Sequence, residues 1–140
     1  MIKIKIEKGD LTVLTRRFEL ALRYFLYELA GYAEQEMIRQ APQRTGKLRR
    51  SIRKRVNMAR LEAEVGPDVE YAVWVETGTR PHVIRPVRAR ALRFEAGGEI
   101  VFARLVRHPG TKPNPFMRRT ADETRRQVPR LWREKWKETA

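Results

Sequence analysis

The stretch YAVWVETGTRPHVIRP, residues 71–86, places Glu76, Arg80 and His82 close together. A carboxylate and an imidazole six positions apart, across a glycine turn, could serve as base and acid, with Arg80 clamping an anion. No third residue in the sequence is placed to orient such a pair, and no Ser or Cys stands in a nucleophile setting. The alternative is a structural corner, in which Tyr71 and Trp74 anchor the turn in a core while Glu76 caps a helix or pairs with arginine. The GTK at 110–112 lacks the first glycine of a phosphate loop and reads as a bend before a helix. His108, ahead of Pro109, reads as a loop hydrogen-bonder. With two histidines and no cysteine, the chain offers no disulfide, no thiolate site and no histidine-rich zinc site, and we expect no catalytic residue, metal or cofactor.

Charge points to partners. The 140 residues carry 31 basic and 17 acidic side chains, net +14, with 23 arginines against 8 lysines. Residues 1–40 are nearly balanced, residues 41–60 hold eight basic and no acidic residue, 61–110 balance at seven each, and 111–140 hold nine against four. Such a patch can meet nucleic acid, an acidic protein or an anionic membrane. Arg44, Lys47, Arg49, Arg50 and Arg53 are dense but not interleaved with aromatics, which argues against stacking single-stranded bases. Non-specific contact with a DNA backbone remains a reading. A small RNA-cleaving toxin, using Arg80, His82 and Arg85, is another, although a 30-residue opening helix and long proline loops fit a compact nuclease poorly. No run of about 18 apolar residues exists to span a membrane. MIKIKIEKGD lacks the apolar block of a signal peptide, so we expect synthesis in a cytoplasm without export.

The elements that must position these groups follow from periodicity. IKIKI alternates and predicts a strand over 2–6. Gly9 breaks it and Asp10 is placed to cap a long helix over 11–40, where Leu11, Leu14, Phe18, Leu22, Phe25, Leu29 and Ala33 recur at three and four. Ala21, Leu26, Tyr32 and Met37 widen this stripe. Gly31 predicts a bend or a close crossing. Pro42 ends the helix, and Thr45 caps a short turn at Lys47–Arg50. A hairpin over 51–66 sets Ile52, Val56 and Met58 with Leu61, Ala63 and Val65 on one face. Arg53 and Arg55 lie opposite Glu62 and Glu64 on the other. Lys54 falls on the apolar face, where its stem would snorkel. A short helix over 71–76, closed by Gly78, leads to a loop over 79–90. A second hairpin over 91–106 turns at Gly97-Gly98. A closing helix over 115–140 carries Phe116, Thr120, Thr124, Val128, Leu131, Trp132 and Trp136, with Pro129 expected to kink or split it. The order predicts a single α+β domain, 1–140. An antiparallel sheet of about four strands would pack under the long N-terminal helix and a C-terminal helix, with long Arg/Pro-rich loops.

Three blocks carry a resemblance: APQRTGKLRRSI (41–52), YAVWVETGT (71–79) and HPGTKPNPFMRRT (108–120). In this order, with a helix ahead and a helix behind, they resemble the tail-component family of long-tailed bacteriophages, the small neck or tail-completion proteins of lambdoid and related siphophages. The resemblance implies a virion structural protein, not an enzyme. It implies a homo-oligomeric ring, a hexamer, at the head–tail joint between tail tube and head connector. Such a subunit is monomeric in isolation and passes through the host cytoplasm during assembly. It also implies that Pro42, Thr45 and Gly46 lead into the sheet. Tyr71, Trp74, Glu76, Gly78 and Thr79 turn the chain into a loop. Pro115 and Phe116 start the closing helix, with Pro109 and Gly110 as structural residues of the block ahead of it. On that reading Arg80, Arg85, Arg88 and Arg90, with Arg49 and Arg50, dock on neighbours.

Overall fold

Apolar residues spaced at three and four make a helix only if something covers the stripe. In the computed structural model, which describes residues 1–7 and 16–140, that helix is α1 (Arg16–Gln40). It buries Ala21, Leu22, Phe25, Leu26, Leu29, Ala30, Ala33 and Met37. Gly9, Asp10, Leu11 and Leu14 lie outside the described residues. The chain divides into two compact units, Met1–Ala72 with Pro115–Ala140, and Val73–Asn114.

In the first unit, β1 (Ile2–Lys5) pairs antiparallel with β3 (Glu62–Pro67), which pairs with β2 (Ile52–Asn57), in the order β1-β3-β2. The register sets Ile4, Ala63 and Val56 side by side on the helix face, and Lys3, Glu64 and Arg55 on the other. Glu64 and Glu62 find Lys3 and Lys5 on β1 at 3.4 and 4.0 Å. Arg55 reaches Asp68 instead, at 2.9 Å. Lys54 snorkels as expected: its ammonium lies 4.2 Å from the Tyr27 ring centroid. Gly31 is the crossing point, since a Cβ there would sit 3.3 Å from the Lys54 Nζ. At the β2 edge, the Lys54 N–H donates to the Glu34 carboxylate (3.1 Å) and the Arg53 guanidinium to the Ile52 carbonyl (2.8 Å). Side chains thus occupy backbone groups that would otherwise recruit a further strand.

α1 ends at Gln40, two residues before Pro42, and after a loop α2 (Lys47–Ser51) begins beyond Gly46, whose φ is 74°. Thr45 accepts a long bond from the Lys47 N–H (3.4 Å). The closing helix α4 (Phe116–Glu138) lies along α1, burying Phe116, Thr120, Thr124 and Leu131. Phe25, Leu29 and Leu131 form a cluster that also gathers Ile4, Ile6, Tyr32, Val128 and Trp132. The tryptophans of α4 fasten the two helices. Trp132 meets Phe18 and Phe25 edge-on at 5.6 and 5.5 Å, and Arg17 lies 4.0 Å over the Trp136 ring. Pro129 does not split α4; it sits on the exposed face of a helix that runs through it.

A polar seam joins α1 to α4. Glu36 is buried and accepts bonds from Arg39 (2.9 and 2.6 Å) and Gln40 (2.8 Å), while Gln40 in turn accepts from Arg119 (3.0 Å). The Arg39 guanidinium, opposed by burial, holds the Glu36 carboxyl below its ordinary value. A carboxyl whose folded pKa is depressed adds stability above its unfolded pKa and loses it as pH falls through the folded one. The melting temperature should therefore drop on acidification from the ordinary glutamate range downward. Glu36→Gln should make that acid limb shallower, and an unchanged limb would remove Glu36 from the account.

The second unit departs most from the sequence reading. α3 (Ala72–Thr77) leads into it. The span 79–90, expected to be loop throughout, contains β4 (His82–Ile84). The hairpin expected over 91–106 is β5 (Leu92–Ala96) and β6 (Glu99–Ala103), turning through Gly97 and Gly98 at φ 61° and 84°. It stops short of Val106, which begins β7 (Val106–His108), antiparallel to β4. The fold class is α+β, as expected; among the described residues the antiparallel strands are divided among small sheets of three, two and two strands, which fits the expected sheet of about four only roughly. Three-residue strands that pair across more than 20 positions leave no periodic trace in the sequence.

Candidate docking surface

The corner of residues 71–86 is built on two Gly-Thr pairs. Thr79 and Thr111 exchange backbone bonds, N–H to carbonyl in both directions, at 3.1 Å. The Thr111 N–H also reaches the Thr79 hydroxyl (3.0 Å), and the two hydroxyls lie 3.1 Å apart. Gly78 and Gly110 precede them with φ of 72° and 85°. A Cβ on Gly78 would stand 2.5 Å from the Thr111 carbonyl oxygen, and one on Gly110 would overlap the Thr79 carbonyl oxygen. Glycine is required at both places by left-handed backbone and by close approach. This clasp is the physical content of the YAVWVETGT and HPGT blocks. Asn114 N–H to the Val75 carbonyl (2.9 Å) extends it.

Beyond the clasp, β4 and β7 set His82 opposite His108, with ring centroids 4.9 Å apart. The His82 Nδ1 lies 2.8 Å from the Arg80 carbonyl, an acceptor, so Nδ1 carries the proton. His108 Nδ1 accepts from the Gly110 N–H at 3.0 Å. Both imidazoles are thereby held by backbone, which fixes the turn. Trp74, Gly78, Thr79, Arg80, Pro81 and His82 line a cleft of about 540 Å³. Glu76, proposed as the base, is not in that lining. Trp74 does not anchor a core: it is 57% exposed. Spacing over a six-residue helix could not tell an inward face from an outward one. Among the described residues no cluster of three or more metal-ligating side chains exists, and no helix is long and apolar enough to cross a membrane.

The same unit has an unusual surface. No residue from 73 to 114 is buried. Its apolar side chains stand in solvent, with Val87 95% and Phe102 66% exposed. On the β5–β6 ribbon, Ile100 and Phe102 share one face with Glu95 and Arg93, while Phe94 and Val101 occupy the other. Arg80, Arg85, Arg88 and Arg90 are exposed. Residues 73–114 carry eight basic side chains against three acidic ones.

In the first unit, α1 bears a second, partly exposed apolar row, which Lys54 of β2 meets at Tyr27. Leu20, Tyr24, Tyr27 and Ile38, at coiled-coil spacing, remain 37–50% exposed. The sequence reading found neither this row nor the ribbon faces. The doubled Gly-Thr was the one available sign of the clasp. Arg49 and Arg50, half-buried and exposed respectively, spend part of their donors on their own loop. Arg49 donates to the Ala41 carbonyl (2.9 Å) and Gln43 (2.8 Å), and Arg50 to the Thr45 carbonyl (3.3 Å). They tie down the Pro42–Gly46 loop. Phe116, fully buried, starts α4 after Pro115.

A family described as "Bacteriophage HK97-gp10, putative tail-component" matches residues 8–78, half of the chain. No curated protein and no solved structure matches significantly. The matched span holds the α1 helix, the Pro42–Gly46 loop, the β2–β3 hairpin and the corner up to the first clasp glycine. On these grounds the chain belongs to the HK97-gp10-like family of bacteriophage tail components.

Proposed function

We propose that the protein is a ring-forming tail-completion subunit of the virion, a structural and non-catalytic part that joins the tail tube to the head connector. Family membership supports the tail assignment. The observation that carries the finer reading is the unit of residues 73–114, which has exposed apolar side chains and no buried one. An isolated two-stranded ribbon is marginal in water, and a surface of this kind is covered in the working assembly. A closed ring needs a heterologous interface, one face meeting a different face on the next copy. The chain supplies two such faces, the ribbon and the partly exposed α1 row. We assign the ribbon of one copy to the α1 row of its neighbour, with Arg80, Arg85, Arg88 and Arg90 left to steer toward acidic surfaces of the tube and connector.

The cysteine-free sequence gives a direct test. Tyr24→Cys and Phe102→Cys variants, mixed and oxidised over a range of protein concentrations, should cross-link one to the other. The double variant should give a ladder that closes at a fixed number, six for a hexamer. Tyr24→Cys dimers formed without the second variant would indicate a two-fold contact instead. Absence of any Tyr24–Phe102 link at the highest concentration would remove this interface.

A further inference from the structure

We infer that the α1–α2 corner of the first unit is a contact site for the phosphate backbone of duplex DNA. Residues 41–60 hold eight basic residues and no acidic one. Two are engaged by other elements: Arg55 pairs with Asp68, and Lys54 lies over Tyr27. Among the described residues, Arg44, Lys47, Arg49, Arg50 and Arg53 have no carboxylate partner. Arg49 and Arg50 spend part of their donors on loop carbonyls and Gln43, which fixes the guanidinium groups and leaves further N–H groups unspent. Arg44 and Lys47 are exposed, and their side chains bond to no other described residue. The Arg119 bond to Gln40 brings the start of α4 to the same corner.

The surroundings select the anion. A protein interface has an apolar centre within a polar rim. Between residues 39 and 72 no large hydrophobic residue is exposed; among the described residues the exposed ones lie on α1, ending at Ile38, in the second unit and at Met1. A site for single strands stacks bases on aromatic rings, and residues 41–60 contain no aromatic residue. A run of cations that holds no aromatic residue and exposes no large apolar one matches an evenly charged backbone read without regard to sequence. This inference does not depend on the ring reading.

Anisotropy titrations of a labelled mixed-sequence duplex with the full chain, over a series of salt concentrations, test it. Each phosphate contact adds about 0.9 to the slope of log K against log salt, so Arg44→Glu with Lys47→Glu should flatten the slope by roughly 2. Affinity at low salt should fall more than about tenfold. Arg44→Gln with Lys47→Gln removes the charge without adding repulsion and should flatten the slope equally. Arg88→Glu with Arg90→Glu changes the net charge as much and should leave the slope nearly as it was. Equal losses from the two charge reversals would mean diffuse attraction to a +14 chain and would overturn the site. Binding to polyglutamate that the corner variant abolishes, with duplex binding intact, would also overturn it and assign the corner to an acidic protein. Neither result bears on the cross-linking test.

Discussion

Gly110→Ala should dissolve the clasp and open residues 73–114 while the helical unit stays folded. The substituted Cβ would overlap the Thr79 carbonyl oxygen and lie 2.9 Å from the Arg80 carbonyl carbon and 3.0 Å from the Pro81 nitrogen. All three are backbone atoms, so none can rotate away. Left-handed backbone costs a non-glycine residue about 1–2 kcal/mol, and forced crowding adds about 1–3 kcal/mol. The combined cost, roughly 2–5 kcal/mol, falls on a unit that buries no side chain. Its hydrogen bonds have no core behind them. Amides of Thr79, Thr111 and the β4–β7 pair should exchange at least about thirtyfold faster, or at the unprotected rate. The amides of α1 and α4 should keep their protection. Unchanged exchange at Thr79 and Thr111 would show that the clasp does not hold this unit together.

Phe25→Ala should cost the first unit about 3–5 kcal/mol. Phe25 lies where three elements meet: Leu29 on its own helix, Ile4 and Ile6 beside it from the N-terminal segment, and Leu131 and Trp132 from α4. Its ring meets Trp132 edge-on, centroids 5.5 Å apart and planes at 85°. Truncation loses transfer energy, leaves a cavity and removes the edge contact. The melting temperature should fall by on the order of 10 °C. A drop of under about 2 °C would mean that neighbouring side chains close the space, and that Phe25 is not the joint between sheet and helices.

What the sequence revealed follows the reach of periodicity. The stripe from Phe18 to Met37 and the alternation of IKIKI each repeat several times, and the elements they predict are present. Lys54 broke its strand's pattern, and its stem lies against Tyr27 as snorkelling requires. The 73–114 unit was legible in its glycines, Gly78, Gly97-Gly98 and Gly110, and in the hairpin that turns at the middle pair. Its strands β4 and β7 are three residues long and pair over a wide gap, so no local signal fixes them. Trp74 and Phe102 illustrate a second limit. Trp74 was read as a core anchor, and no burial was assigned to Phe102; both stand in solvent. Composition cannot separate a core residue from one reserved for a partner. Nor does any pattern of charge disclose that Arg49 and Arg50 also bond to carbonyls of their own loop.

The mutual bonds of Thr79 and Thr111 have one further consequence. They bring the start and the finish of the intervening span to a single point. That span leaves its carrier and returns to it through one gate, as an inserted module does. Its length, tip and charge can therefore change wholesale, by recombination or by grafting, without stretching the helices that bear it. A tail protein built in this way can be refitted to a different mating part by exchanging one cassette.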